Sequence, residues 1–99
     1  MGQKPPPREA ELYRRCDEVL HYLWDPIGVA GAPGARDEYN SYLPQVFARV
    51  RDGVAAEEIA AYLVTIERSS MGLAGNLDHA RRAVRTLLEW RDWIWEHAA

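Results

Sequence analysis

Four carboxylates and one arginine are the residues best placed to do chemistry in this sequence. Asp25, Asp37 and Glu38 fall in a stretch without helical periodicity, and Glu67 lies near the end of a periodic one. Hard oxygen donors of this kind could hold Mg²⁺ or Ca²⁺. They could also act as a general acid/base pair if they converged. Their spacing is not that of an EF-hand loop, so no metal ligand set is assigned. The competing use of the same carboxylates is to neutralise a cation. At about 100° per residue, Arg91 falls among Leu87, Leu88 and Ile94 on an apolar helix face. A guanidinium there must be paired or must snorkel to water. Its candidate partners are Asp25, Asp37, Glu38 and Glu67. The expectation is an ion pair that pins the aperiodic loop to the last helix.

Aromatic residues supply the other signal. Trp93 falls on the polar side of the last helix, with Trp90 at the boundary and His97 one turn on. Exposed aromatics mark interfaces more often than charged residues do. Trp90, Trp93 and His97 are therefore the candidate interaction surface, for another protein or for a second copy in a homodimer. The bland alternative is that Trp93 packs on the proline segment at the N-terminus. His21 lies one turn before Asp25 but projects to the polar side of the first helical pattern, so it is expected to be solvated. Cys16 is centred on an apolar face and is expected to be a buried, inert thiol. Arg81, Arg82 and Arg85 read as a solvated, partly ion-paired face. There is no Gly-rich phosphate loop, no Cys/His metal set and no defensible nucleophile triad. A non-catalytic protein without a cofactor is expected.

The balance of the chain narrows its partners. With 99 residues and 47% hydrophobic content, it has the size and composition of one globular domain. A net charge of -3 gives no pull toward nucleic acid or an anionic membrane. One cysteine excludes an intramolecular disulfide. No apolar run resembles a signal peptide or a membrane span, so a cytoplasmic location is expected.

Helices must position these residues. Pro5-Pro6-Pro7 closes an extended lead-in over residues 1–7, and residues 8–99 form the single helical domain. The first helix is expected from about Arg8 to Leu23, burying Leu12, Cys16, Val19, Leu20 and Leu23. Asp25-Pro26 ends it, because the residue before proline is pushed out of the α region. A loop follows whose small-residue tip, Ala30 to Ala35, has nothing large to bury. Trp24, Ile27, Val29 and Tyr39 are its anchors. The second helix lies between about Glu38 and Arg51. Pro44 requires it to start near Tyr42 or to kink, and Gly53 ends it. The third runs from about Ala56 to Ser69. The fourth starts after the N-cap Asn76 and continues to about Glu96. The expected fold is all-α: a compact four-helix bundle or orthogonal array with one long loop between helices 1 and 2.

Three pieces of the sequence resemble a known group. They are Trp24-Asp25-Pro26-Ile27-Gly28-Val29, Asp37-Glu38-Tyr39 with Tyr42, and Ile59/Tyr62/Leu63/Ile66/Glu67 with Met71-Gly72-Leu73. Together they are similar to the YugE-like small bacterial helical proteins of unknown function, over about Leu12 to Leu73. The resemblance implies a helical fold. Because related short proteins are found beside polymorphic toxins, it also implies an immunity role by association. The function expected is a protein-interaction module, possessing in the resemblance's version a toxin as partner. The alternative is a small-ligand or divalent-cation domain built on the loop carboxylates.

Overall fold

The computed structural model describes residues 6–25 and 39–97. The described residues are helical and contain no strand. Helix α1 spans Pro7–Glu18, α2 Leu43–Arg51, α3 Ala56–Ser69 and α4 Leu77–His97. A π-helical segment, Val19–Trp24, continues α1 without a break. The expected loop tip, with Ile27, Val29, Asp37 and Glu38, lies outside the described residues.

Helix α1 begins one residue earlier than its periodicity predicts. Pro6 takes the polyproline-like geometry of φ -54° and ψ 148°, and Pro7 occupies the first helical turn. Proline has no N–H to lose there, and its fixed φ suits the helix start. The Pro6 carbonyl accepts from the N–H groups of Glu9 and Ala10 at 2.9 and 3.0 Å. Leu12 and Cys16, one turn apart, are fully buried. On the outer side Glu11 pairs with Arg14 and Arg15, and Arg15 also reaches Glu18 at 2.9 Å.

The π segment corrects two expectations. Its hydrogen bonds span five residues, as in Asp25 N–H to Leu20 O at 3.0 Å. Each turn therefore takes up one more residue than an α-turn, and the inward face slips. Trp24 turns inward and is fully buried, while Leu23, expected in the core, is 49% exposed. His21, expected in solvent, is only 5% exposed. Burying an indole in place of a leucine removes more apolar surface from water and gives the Trp24 N–H a partner in α3. The segment ends at Asp25, whose φ of 27° and ψ of 59° are left-handed.

Helix α2 starts at Leu43, after helical residues 39–40 and a turn at 41–42, so the break expected near Tyr42 is present and Pro44 falls in the first turn. Its end is a 6→1 closure, Val54 N–H to Arg49 O at 3.1 Å, around Gly53 at φ +80°. Helix α3 runs as expected, with Glu57 and Glu58 at its N-terminal dipole. The link from α3 to α4 folds back onto α3. Gly75, at φ +92°, permits this approach, because a Cβ there would meet Val64 Cγ1 and Arg68 Nε at 2.9 Å. The Asn76 side chain then caps α4 by accepting the His79 N–H at 3.0 Å.

Helix α4 packs against the other three helices and the π segment. One core joins Leu12, Leu20 and Trp24 to Val46, Val50, Leu63 and Leu87. Leu77, expected on the buried face of α4, lies 39% exposed at its first turn. Outside the core, Arg81 ties α4 to α3 through Glu57 at 2.8 Å. No helix among the described residues is long and apolar enough to cross a membrane.

Cys16 sits in this core as expected. Burial pushes its thiol up from 9.0 to about 12. Burial disfavours the thiolate, so the folded chain holds this proton where the unfolded chain has released it. The resulting stability is complete below pH 9 and is lost as pH rises toward about 12. Iodoacetamide at pH 8 should therefore label Cys16 at the rate of global unfolding. Labelling as fast as that of a free thiol would place the sulfur at the surface.

Candidate functional site

Two features of the fold compete for function: a buried polar cluster and an aromatic groove. The cluster lies where the π segment, α3 and the start of α4 meet. Glu67, 2% exposed, accepts the Trp24 indole N–H at 2.8 Å on one oxygen and the Asn76 backbone N–H at 2.9 Å on the other. His79 Nε2 lies 2.7 Å from the Trp24 carbonyl. A carbonyl can only accept, so Nε2 carries the proton. Tyr39 donates its hydroxyl to Asp25 at 2.6 Å and lays its ring 5.5 Å from that of Trp24. Asp25, Glu67 and His79 share the lining of an open cavity of about 360 Å³.

The structure thus brings Asp25 and Glu67 together but leaves Arg91 elsewhere. The expected Arg91–Glu67 and Arg91–Asp25 pairing is corrected. Arg91 contacts the neighbouring Asp92 at 3.0 Å and donates to the Val50 carbonyl at 3.3 Å. That carbonyl belongs to the last turn of α2, where it also accepts the Gly53 N–H at 3.3 Å and the dipole favours a cation. Asp37 and Glu38 lie outside the described residues. No group of three His, Cys, Asp or Glu suited to a metal ion occurs among the described residues. The Trp24–Glu67 bond was not foreseen, although its signal was present. Glu67 falls one turn after Leu63, on the buried stripe of α3.

His21 lies close to this cluster, with its ring 6.3 Å from that of Tyr39. Its Nδ1 is buried without a hydrogen-bond partner among the described residues. Leucine in its place fills similar volume and has no polar atom to leave unpaired. His21→Leu should raise stability by about 1 kcal/mol in urea unfolding. A loss of that size would show that the imidazole is satisfied in solution.

The groove runs along the seam of α1 and α4. Its centre, about 660 Å³, is lined by Glu11, Arg15, Thr86, Glu89, Trp90 and Trp93. Toward the N-terminus it shares Trp93 and Glu11 with a second hollow of about 520 Å³, which reaches Pro6 and His97. Toward the π segment it shares Thr86 and Trp90 with a third, of about 240 Å³, which reaches Tyr22 and Leu23. The slipped register of the π segment is what exposes Leu23 here.

Trp93 is 53% exposed. It meets Trp90 edge-on at 6.1 Å and stacks on His97 at 4.4 Å, so the ring is held without being covered. The Arg15 guanidinium lies 4.2 Å from the Trp90 ring centre. Its hydrogen bond to Glu18, with the Glu11 charge adding, raises its pKa above the ordinary value against desolvation. Trp95 is turned away from the groove centre and lies beneath Arg8 at 4.8 Å. All three expected surface residues, Trp90, Trp93 and His97, therefore line one seam. Pro6 and Pro7 border Trp93 but leave it open.

No family model, curated protein or solved structure matches this chain.

Proposed function

We propose that this chain is a non-catalytic protein-interaction module that binds another protein through the α1–α4 groove. One observation carries the reading: Trp93 is half-exposed, immobilised by Trp90 and His97, and central to a seam with Leu23 and Tyr22 at its far end. A rigid aromatic beside an apolar hollow is the usual anchor of a protein interface. The polar cluster supports the same reading from the other side. Its Glu67 oxygens and the His79 Nε2 proton are engaged in bonds that hold the fold. The resemblance to YugE-like proteins supports a toxin as the partner and immunity by capping as the role, in the cytoplasm.

The test is capture of proteins encoded at the same locus by the wild-type chain and by Trp93→Ala. The reading requires a partner that the wild type holds and the variant loses. A partner held equally by both would contradict the groove.

A second reading rests on the cavity shared by Asp25, Glu67 and His79. It makes the chain a small-ligand or divalent-cation binder. Calorimetry with Mg²⁺, Ca²⁺ and Zn²⁺ tests it. Flat titrations with an unchanged melting temperature would remove it.

A further inference from the structure

The charges around Trp93 are unequally matched. On α1, Arg14, Glu11, Arg15 and Glu18 form a continuous chain of ion pairs with two charges of each sign. They neutralise one another. On α4 the pattern differs. Glu89 stands one turn before Trp93 and Glu96 nearly one turn after it, both exposed. Neither has a hydrogen-bond or ion-pair partner among the described residues. Arg85, one turn before Glu89, lines with it and with Arg81 the hollow on the α3 side, yet no ion pair joins Arg85 to Glu89 among the described residues. The exposed indole is thus bracketed by two carboxylates outside any ion pair among the described residues, while the one cation described in the N-terminal hollow, Arg8, lies over Trp95. One ring face is stacked on His97, and Arg15 occupies Trp90 rather than Trp93.

We infer that the partner presents a basic, amphipathic segment to this groove, with an apolar side chain against Trp90 and Trp93 and arginine or lysine on Glu89 and Glu96. The inference rests on the interaction-module reading and adds the partner's chemistry. A cation beside a tryptophan and a carboxylate gains from both the ring quadrupole and the ion pair. A second copy of this chain fits less well. A twofold interface apposes the same patch on both sides, and here it sets the Glu89 and Glu96 pair of one copy against that of the other with only Arg8 to answer them. The whole molecule carries -3, which adds to that repulsion.

The stripe from Thr86 to His97 is about 17 Å long at the α-helical rise. A peptide of about twelve residues spans it in helical form. Three fluorescein-labelled peptides of one leucine pattern serve as probes, with arginine, glutamine or glutamate at every polar position. Each is titrated with the full chain, with Trp93→Ala, and with the double variant Glu89→Lys/Glu96→Lys. Both exposed carboxylates can be replaced without touching the core, and circular dichroism checks the fold. The arginine peptide should bind about tenfold more tightly than the glutamine peptide, and the glutamate peptide weakest. The lysine double variant should reverse the order, and Trp93→Ala should abolish binding of all three.

Equal binding of the arginine and glutamine peptides, with an unreversed order in the double variant, overturns the basic partner. If Trp93→Ala still abolishes binding in that case, the groove itself stands. Failure of every peptide, or indifference to Trp93→Ala, overturns both. A concentration-dependent dimer in sedimentation that Trp93→Ala dissolves assigns the groove to a second copy and also overturns the inference.

Discussion

Glu67→Ala is expected to cost about 3 kcal/mol or more of folding stability. The carboxylate is 2% exposed and is the shared acceptor of two N–H groups from distant parts of the chain. Alanine leaves the buried Trp24 indole N–H and the Asn76 backbone N–H without it. Each unsatisfied donor costs about 1–3 kcal/mol, and the missing side chain leaves a void as well. For a domain of this size the melting temperature should fall by something on the order of 15 °C. Glu67→Gln should lose less, because its amide keeps one acceptor oxygen but turns an N–H₂ toward the other donor. Urea unfolding of the three proteins gives the ranking wild type, glutamine, alanine. A loss below about 1 kcal/mol for alanine would mean that water replaces the carboxylate and the bridge is dispensable. The effect should appear in more than one element, since Glu67 joins the end of the π segment to the start of α4.

The parts of this fold that obey a single period were legible from the residues. Ile59, Leu63 and Ile66 place α3, and Asn76 marks the start of α4. Gly53 ends α2 because its φ of +80° is one that other residues avoid. The π segment was not legible, because an α-period assigns Leu23 inward and His21 outward. Its extra residue per turn reverses both. The choice is made by tertiary contacts, chiefly the Glu67 acceptor and the Tyr39 ring that receive Trp24.

Arg91 shows a different limit. Its place at the edge of the apolar face was readable, but the nearest acceptor was not. An arginine there can be answered by a carboxylate or by a helix C-terminus, and only the packing of α2 on α4 selects Val50. The candidate surface was more accessible. Trp93 breaks the amphipathic pattern of α4, and the structure leaves it exposed. What the pattern lacked was the seam with α1, which supplies the opposing wall and the Arg15 that covers Trp90.

Trp93→Ala is expected to weaken partner binding by about 30-fold or more, equivalent to about 2 kcal/mol, while barely changing stability. The two halves of that expectation have separate causes. Stability is insensitive because the ring is 53% exposed and its nearest contacts, Trp90 and His97, lie on its own helix. Surface substitutions of this kind usually fall within about 0.5 kcal/mol of neutral. Binding is sensitive because a partner would bury the exposed half of the ring against a hollow that is already formed. Little conformational freedom remains to be lost by a ring held between two others. Tyr13→Ala is a suitable control. Tyr13 is 39% exposed but lies against Phe47 of α2, away from the seam. It should leave partner affinity unchanged.

The most direct measurement is a calorimetric titration of the captured partner into wild-type chain, Trp93→Ala and Tyr13→Ala at matched, verified folding. The groove account predicts a loss of about 30-fold or more for Trp93→Ala and none for Tyr13→Ala. Equal affinity of all three proteins for the partner would contradict it.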